Sequence, residues 1–280
     1  MIFIQHEAIK RGRGAAKLGI TMEMKAVLVA GGHGSRLLPF TRYTHKTLLP
    51  LHRRPVIDYA LATIRRTGIK DITIIGNQFI GQIAQHVGTG LPGENIHYVI
   101  EEEPKGVHHA LNLARPHVEG SRILVYFSDN IVTYEMNEDV EYWKNSVEPP
   151  GCLLLGRTVP DPERFGVAVF DENKEIIDII EKPENPPSAV AIGGIYLYDE
   201  NFWSIMDEEV ARLGTSFSIS DLNRRYVTDT KAILRNIDEY QWFDCGTPDA
   251  LLEASKLAKE GVLSPKPCNM REGEPFPSLE

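Results

Sequence analysis

The stretch VLVAGGHGSRLLPFTRYTHKTLLPL holds Gly31-Gly32-His33-Gly34, then Arg36, then Lys46. Glycines let backbone amides approach phosphate oxygens because no Cβ intervenes. Fixed positive charge just beyond such a loop suits a polyphosphate, and a guanidinium matches phosphate geometry in two-pronged fashion. The chemistry suggested is the binding of a nucleoside triphosphate. A glycine loop alone is also an ordinary tight turn, and neither GxxxxGK[ST] nor GxGxxG is completed here. Residues far along the chain must therefore add specificity. Two features stand where they could: Asp129, closing the run RILVYFS, and the segment EEEPKG from Glu101 to Gly106. Adjacent His108 and His109 on a helix would point about 100° apart, and no HxxxH pair occurs among the nine histidines, so a histidine metal site is not expected.

These residues need a scaffold. KAVLVA is a short continuous apolar run stopped by Gly31-Gly32, as expected of a strand buried on both faces. RPVIDYALATIRRTG carries Ile57, Ala60, Leu61 and Ile64 at helical spacing, with Gly68 as a stop. KDITIIG, IHYVIE and SRILVYFSDN read as strands, the last ending at Asp129; FIGQIAQHVG and GVHHALNLARPHV read as helices. Strands alternating with helices imply right-handed crossovers and a largely parallel sheet. The rhythm then changes. GVAVFDENKEIIDIIEKP reads as a hairpin turning at Asp171-Glu172-Asn173-Lys174, and AIGGIYLYD, KAILRNID and QWFDCG as strands. NFWSIMDEEVARLG is a helix, SISDLNRRYV a helix capped by Ser218 or Ser220, and TPDALLEASKLAKEG a helix capped by Thr247 with Pro248 first. Ligands of open α/β sheets sit beyond the carboxyl ends of the strands, which is where the loop, Asp129 and the Glu101 segment fall.

The 280 residues allow one large domain with appendages. A hydrophobic content of 42% and a charged content of 25% are ordinary for a globular protein, and a net charge of −9 argues against a nucleic-acid partner. Cys152, Cys245 and Cys268 form no CxxC pair, so neither a zinc site nor a disulfide framework is indicated, and a reducing cytoplasm is the simple reading. No apolar run approaches the roughly 18 residues of a membrane helix. Residues 1–23 are expected to be a disordered extension, 24–261 the domain and 262–280 an irregular tail.

At this point a resemblance emerges. GGHGSRLLPFT and THKTLLPL resemble the GGxGTRLxPLT and KxLLPV signature of sugar-1-phosphate nucleotidyltransferases, with the closest likeness to the glucose-1-phosphate thymidylyltransferase group. The likeness continues through EEEPKGVHHAL, FSDN, DPERFGVAVFD, EKPENP, GGIYLYD, FSISDLNRRYV and WFDCGTPDALLEAS, from about Lys25 to about Ser255. It implies a three-layer, Rossmann-like nucleotide-diphospho-sugar transferase fold with a mixed, mainly parallel central sheet. It also implies roles. Gly31, Gly32, Gly34 and Ser35 would wrap the triphosphate, Arg36 hold the departing pyrophosphate, and Lys46 sit near the attacked α-phosphate. Asp129 and Asp244 would ligate Mg2+, Glu101, Pro104 and Gly106 would lie at the base, and Gly166, Glu181, Lys182 and Gly194 would form the sugar-phosphate side. The implied ligands are an NTP and a sugar-1-phosphate, and a homo-oligomer is compatible with the sequence.

Some positions depart from the pattern. Glu101 stands where thymidylyltransferases read the base with glutamine, and an ionised glutamate only accepts hydrogen bonds. Guanine offers two adjacent donors and would suit it best, and EEEPKG resembles a stretch in mannose-1-phosphate guanylyltransferases. Glu102 and Glu103 compete with Glu101 for the role. Thr47 replaces a common glutamine, and Gly193-Gly194 replaces threonine-glycine, opening space beside the sugar. Uridylyl, guanylyl or cytidylyl transfer to another sugar or a cyclitol phosphate is the alternative activity. A non-catalytic nucleotide-sugar-binding regulatory subunit is the alternative from another class.

Overall fold

The computed structural model describes residues 22–229 and 231–265. Most of the expected N-terminal extension (1–21), most of the tail (266–280) and Cys268 lie outside the described residues. In chain order the elements are β1 (Met24–Ala30), β2 (Pro50–Leu51), β3 (Arg54–Pro55), α1 (Val56–Arg66), β4 (Asp71–Gly76), α2 (Ile80–Val87), β5 (Asn95–Ile100), α3 (Val107–Val118), β6 (Arg122–Phe127) and β7 (Asn130–Val132). There follow α4 (Asn137–Asn145), β8 (Cys152–Thr158), β9 (Gly166–Phe170), β10 (Ile176–Glu181), β11 (Val190–Tyr198), α5 (Phe202–Leu213), α6 (Ile219–Thr228), β12 (Ala232–Asn236), β13 (Trp242–Asp244) and α7 (Pro248–Lys259).

The alternation of β1 explains the layers. Ala26, Leu28 and Ala30 pack with Ile57 and Leu61 of α1, Ile83 of α2 and Trp143 of α4. Val27 and Val29 face the other way, onto Leu111 of α3, Phe202 of α5 and Leu222 of α6. A strand buried on both faces must be apolar at successive positions, which is why KAVLVA shows no polar alternation. Truncating Leu28, fully buried here, to alanine should cost about 2–5 kcal/mol.

The sheet is mixed, in the order β10-β9-β11-β6-β1-β4-β5, with β8 beside β11 and β12 beside β8. β6, β1, β4 and β5 run parallel. β11 is antiparallel to β6, to β8 and to β9, and its register shifts between Ile192 and Tyr196. β9 and β10 form the expected hairpin, its turn held by the amides of Asn173 and Glu175 donating to Asp171 Oδ1, both at 2.9 Å. β6 stops at Phe127, so Asp129 lies in the turn before β7 rather than at the end of the strand. The α6 cap is Ser218, which forms a reciprocal capping box with Asp221.

Candidate functional site

The glycine loop leaves β1 and is shaped by what lies against it. Gly32 and Gly34 have φ of 86° and 60°, which L side chains rarely adopt. A Cβ on Gly34 would come within 2.9 Å of Thr41 Cγ2 and 3.2 Å of Lys46 Cβ. The loop carbonyls are tied down: Thr41 Oγ1 donates to Gly34 O at 2.8 Å, and Asn77 Nδ2 donates to Gly32 O at 2.9 Å. Ser35 opens the short turn Ser35–Leu37 and is exposed. The loop is therefore fixed by its carbonyls, while Gly32, His33 and Ser35 stay exposed.

Two carboxylates and two cations converge beside the loop. Lys46 Nζ is bonded to Asp129 Oδ2, and it lies 3.8 Å from where a Cβ of Gly32 would be. β13 pairs with β7, Asp244 opposite Asn130, which brings Asp244 close enough to Asp129 to feel its charge. Arg36 Nη2 lies 3.9 Å from Asp244 Oδ2 and packs against Gly246, whose missing Cβ would be 2.6 Å away. Burial would push the Asp129 carboxyl up, but Lys46 overrides it and the group sits below the usual carboxylate range. Asp244 goes the other way: burial and then the charge of Asp129 raise it, and Arg36 and Lys46 offset this only in part. Among the described residues, no group of three or more His, Cys, Asp or Glu is arranged to hold a metal ion alone. Two neighbouring, half-buried carboxylates do suit a hard cation that completes its shell with phosphate oxygens and water.

Burial sets Glu101 apart from the two glutamates that follow it. Glu101 is 5% exposed, whereas Glu102, Glu103, Pro104, Lys105 and Gly106 are exposed. Its amide extends β5 by donating to Gly76 O at 2.8 Å, and Oε2 lies 3.1 Å from a would-be Cβ on Gly31. Burial raises this carboxyl above its ordinary range, opposed by His109, the Lys105 amide and His33. Glu101, His33 and His109 therefore share one wall of the loop, next to Gly106 at the start of α3.

The sugar-side candidates meet at the other end of the same sheet edge. Glu181 Oε2 accepts from Ser220 Oγ at 2.5 Å, and its Oε1 lies 3.0 Å from Lys182 Nζ. A Cβ on Gly166 would lie 2.8 Å from Ser220 Oγ and 3.4 Å from Glu181 Oε2. Lys182 has φ of 44°, donates its amide to Phe165 O at 2.9 Å and keeps a side chain 65% exposed. β11 links this cluster to the carboxylates: Ile192 pairs with Gly166, and the Gly194 amide donates to Asn130 Oδ1 at 3.1 Å.

A family comparison covers nearly the whole described chain. The model of the nucleotidyl transferase family matches residues 25–261. The chain belongs to the nucleotidyl transferase family. It is 35% identical over 242 residues to a glucose-1-phosphate thymidylyltransferase of Xanthomonas campestris pv. campestris (strain B100), covering 84% of this chain and 80% of that protein. A protein of the same name from Neisseria gonorrhoeae is 31% identical over 239 residues, covering 84% of this chain and 83% of that one. A solved structure from Bacillus anthracis, provisionally named a glucose-1-phosphate thymidylyltransferase and complexed with a sucrose, superposes with a TM-score of 0.78 at 34% identity, covering 90% of this chain and 98% of that one.

Within this nucleotidyl transferase three polar side chains escaped the reading of the sequence. Asn77 holds the glycine loop, Ser220 holds Glu181, and Asn130 sits beside Asp129. Asn130 is 6% exposed; its Oδ1 accepts from Trp242 Nε1 at 2.7 Å, and its Nδ2 donates to Asp129 Oδ1 at 3.1 Å. A Cβ on Gly194 would lie 2.7 Å from that Nδ2, so Gly194 is required by Asn130 as much as by any sugar. A cavity of about 250 Å3 is lined by Asp244 together with Arg157, Arg164, Phe165, Trp242 and Thr247 among others. No helix among the described residues is long and apolar enough to cross a membrane.

Proposed function

We propose that this protein transfers a nucleotidyl group from a nucleoside triphosphate to a sugar-1-phosphate in the cytoplasm, with dTTP and glucose-1-phosphate as the first choice of substrates. The observation that carries the reading is the Lys46–Asp129 pair, set against the glycine loop with Asp244 close by. A sugar-phosphate oxygen attacks the α-phosphorus in line. A new P–O bond forms, the bond to the β-phosphate oxygen breaks, and pyrophosphate leaves with that electron pair.

Positioning and charge neutralisation do most of the work in such a transfer. The amides of Gly31, Gly32, Gly34 and Ser35 hold the triphosphate, and Arg36 accompanies the pyrophosphate. Lys46 swings between Asp129 and the α-phosphate. Lys182 takes the sugar phosphate, Glu181 accepts from sugar hydroxyls, and the backbone of Gly166 and Gly194 lines the sugar. Asp129 and Asp244 would hold Mg2+, which supplies a Lewis acid at the α-phosphate.

Buried Glu101, beside Gly31, supports a second reading at the base. An ionised carboxylate accepts two hydrogen bonds from guanine but one from thymine. Pyrophosphate release with Mg2+ decides between them, crossing dTTP, UTP, GTP, CTP and ATP with glucose-, mannose- and N-acetylglucosamine-1-phosphate. Release with dTTP and glucose-1-phosphate is the expected result. Release with GTP alone makes Glu101 a guanine reader, and binding of NTP with no release from any pair favours a regulatory subunit.

A further inference from the structure

Lys46 is carried on a single short turn, Lys46–Leu48, which is too brief to hold its own position. The residue that closes this turn is His45, and it does so with its ring. Nδ1 accepts the Thr47 amide at 3.2 Å and lies 2.7 Å from Thr47 Oγ1. A backbone N–H can only donate, so Nδ1 carries no proton and the ring is the neutral Nε2–H tautomer. His45 is 1% exposed, and its ring also meets the Ala30 backbone in a hydrogen bond. The groups that face the ring are Lys46 on its own turn, the Ala30 backbone at the end of β1 and Asp129 across the site. Gln82 of α2 approaches the His45 amide at 3.4 Å.

We propose that His45 is a positioning residue for Lys46: its ring nitrogen serves as the cap of the turn and so aims Nζ at Asp129 and the glycine loop. The proposal rests on the nucleotidyl-transfer reading above, in which Lys46 meets the α-phosphate. His45 itself touches no substrate. Its effect should therefore fall on kcat, while KM for the triphosphate, held by the loop amides and Arg36, changes little.

The test compares four variants in steady-state pyrophosphate release, with thermal melts to confirm folding. Asn and Ser are short but can accept from the Thr47 amide; Phe keeps the ring volume but has no acceptor; Ala has neither. Capping predicts that His45→Asn and His45→Ser retain kcat within roughly three-fold, whereas His45→Phe and His45→Ala lose roughly 10- to 100-fold, as expected when a reacting group is misplaced by about an ångström. A packing role predicts the opposite order, with Phe tolerated and Asn and Ser impaired. That order, or wild-type kcat in both Phe and Ala, overturns the proposal. If His45→Ala does not fold, Phe against Asn still decides. An inactive wild type would instead refute the nucleotidyl-transfer reading, which separates the two failures.

Discussion

The Cys245 amide donates to the Asp129 carbonyl at 2.8 Å, the contact that brings the β13 end onto the turn after β6. This contact, with the Asp244–Asn130 pairing beside it, brings two carboxylates from distant parts of the chain within reach of each other's charge. Their opposite pKa directions follow: Asp129 has Lys46 as its partner, and Asp244 has Asp129 as its neighbour.

The two carboxylates should therefore separate activity from stability. Asp129→Asn and Asp244→Asn should each lower turnover by about 3 kcal/mol, or roughly 100-fold or more. In thermal melts without ligand they should differ. Asp129→Asn strands the half-buried Lys46 and should destabilise by about 3 kcal/mol. Asp244→Asn removes a like-charge repulsion and should melt at or above the wild-type temperature. Equal melting losses in both would contradict the charge assignment.

His45 gives a pH dependence with a definite sign. Its pKa is lowered from 6.5 to about 4, chiefly by burial and then by Lys46. Between those values the unfolded chain binds a proton that the folded chain refuses. Stability from this group is thus complete above pH 6.5 and is lost as pH falls through about 4, by about 3 kcal/mol in all. Denaturant titrations from pH 7 to 4 should show this loss in the wild type and a shallower one in His45→Asn. Identical slopes would refute it.

Gly194→Ala tests whether the glycine pair makes room for Asn130. The added Cβ must displace an amide 2.7 Å away, and the Trp242 and Asp129 bonds with it. A loss of about 1–3 kcal/mol is expected from overpacking, with a fall in kcat. A fully active, equally stable variant would mean that Asn130 is not locked.

Glu101→Gln tests the base. An amide both donates and accepts, as thymine requires on its N3–H and O4 edge. With dTTP, kcat/KM should be kept or improved; with GTP, any turnover should fall. The reverse ranking, a loss with dTTP and none with GTP, would mean that the carboxylate itself serves thymine.

The framework was legible because hydrophobic periodicity is local. KAVLVA, the α1 face and the β9–β10 turn each announce themselves within a few residues, and the glycine loop with Arg36 and Lys46 lies in one stretch. β8 and α4 were not found. CLLLGRT offers only a few apolar residues after Pro149-Pro150, too short to show a period, and NEDVEYWKN buries only Val140 and Trp143 as apolar residues, with Asp139 beside them. The supporting polar residues were hidden for a different reason. Asn77 meets Gly32 across 45 positions, Ser220 meets Glu181 across 39, and Asn130 meets Gly194 across 64. A hydrogen bond between such residues has no signature in either local sequence. Choosing among Glu101, Glu102 and Glu103 likewise required burial, since three identical side chains in a row differ only in where the backbone points them.

The central claim is tested most directly by following the α-phosphate. The protein is incubated with Mg2+, glucose-1-phosphate and dTTP labelled at the α-phosphorus, and the products are separated after phosphatase treatment. The account predicts label in a phosphatase-resistant sugar nucleotide, pyrophosphate in equal amount, and loss of both on chelation or in Asp129→Asn. Label recovered wholly as inorganic phosphate, whatever the sugar phosphate or triphosphate supplied, would contradict it.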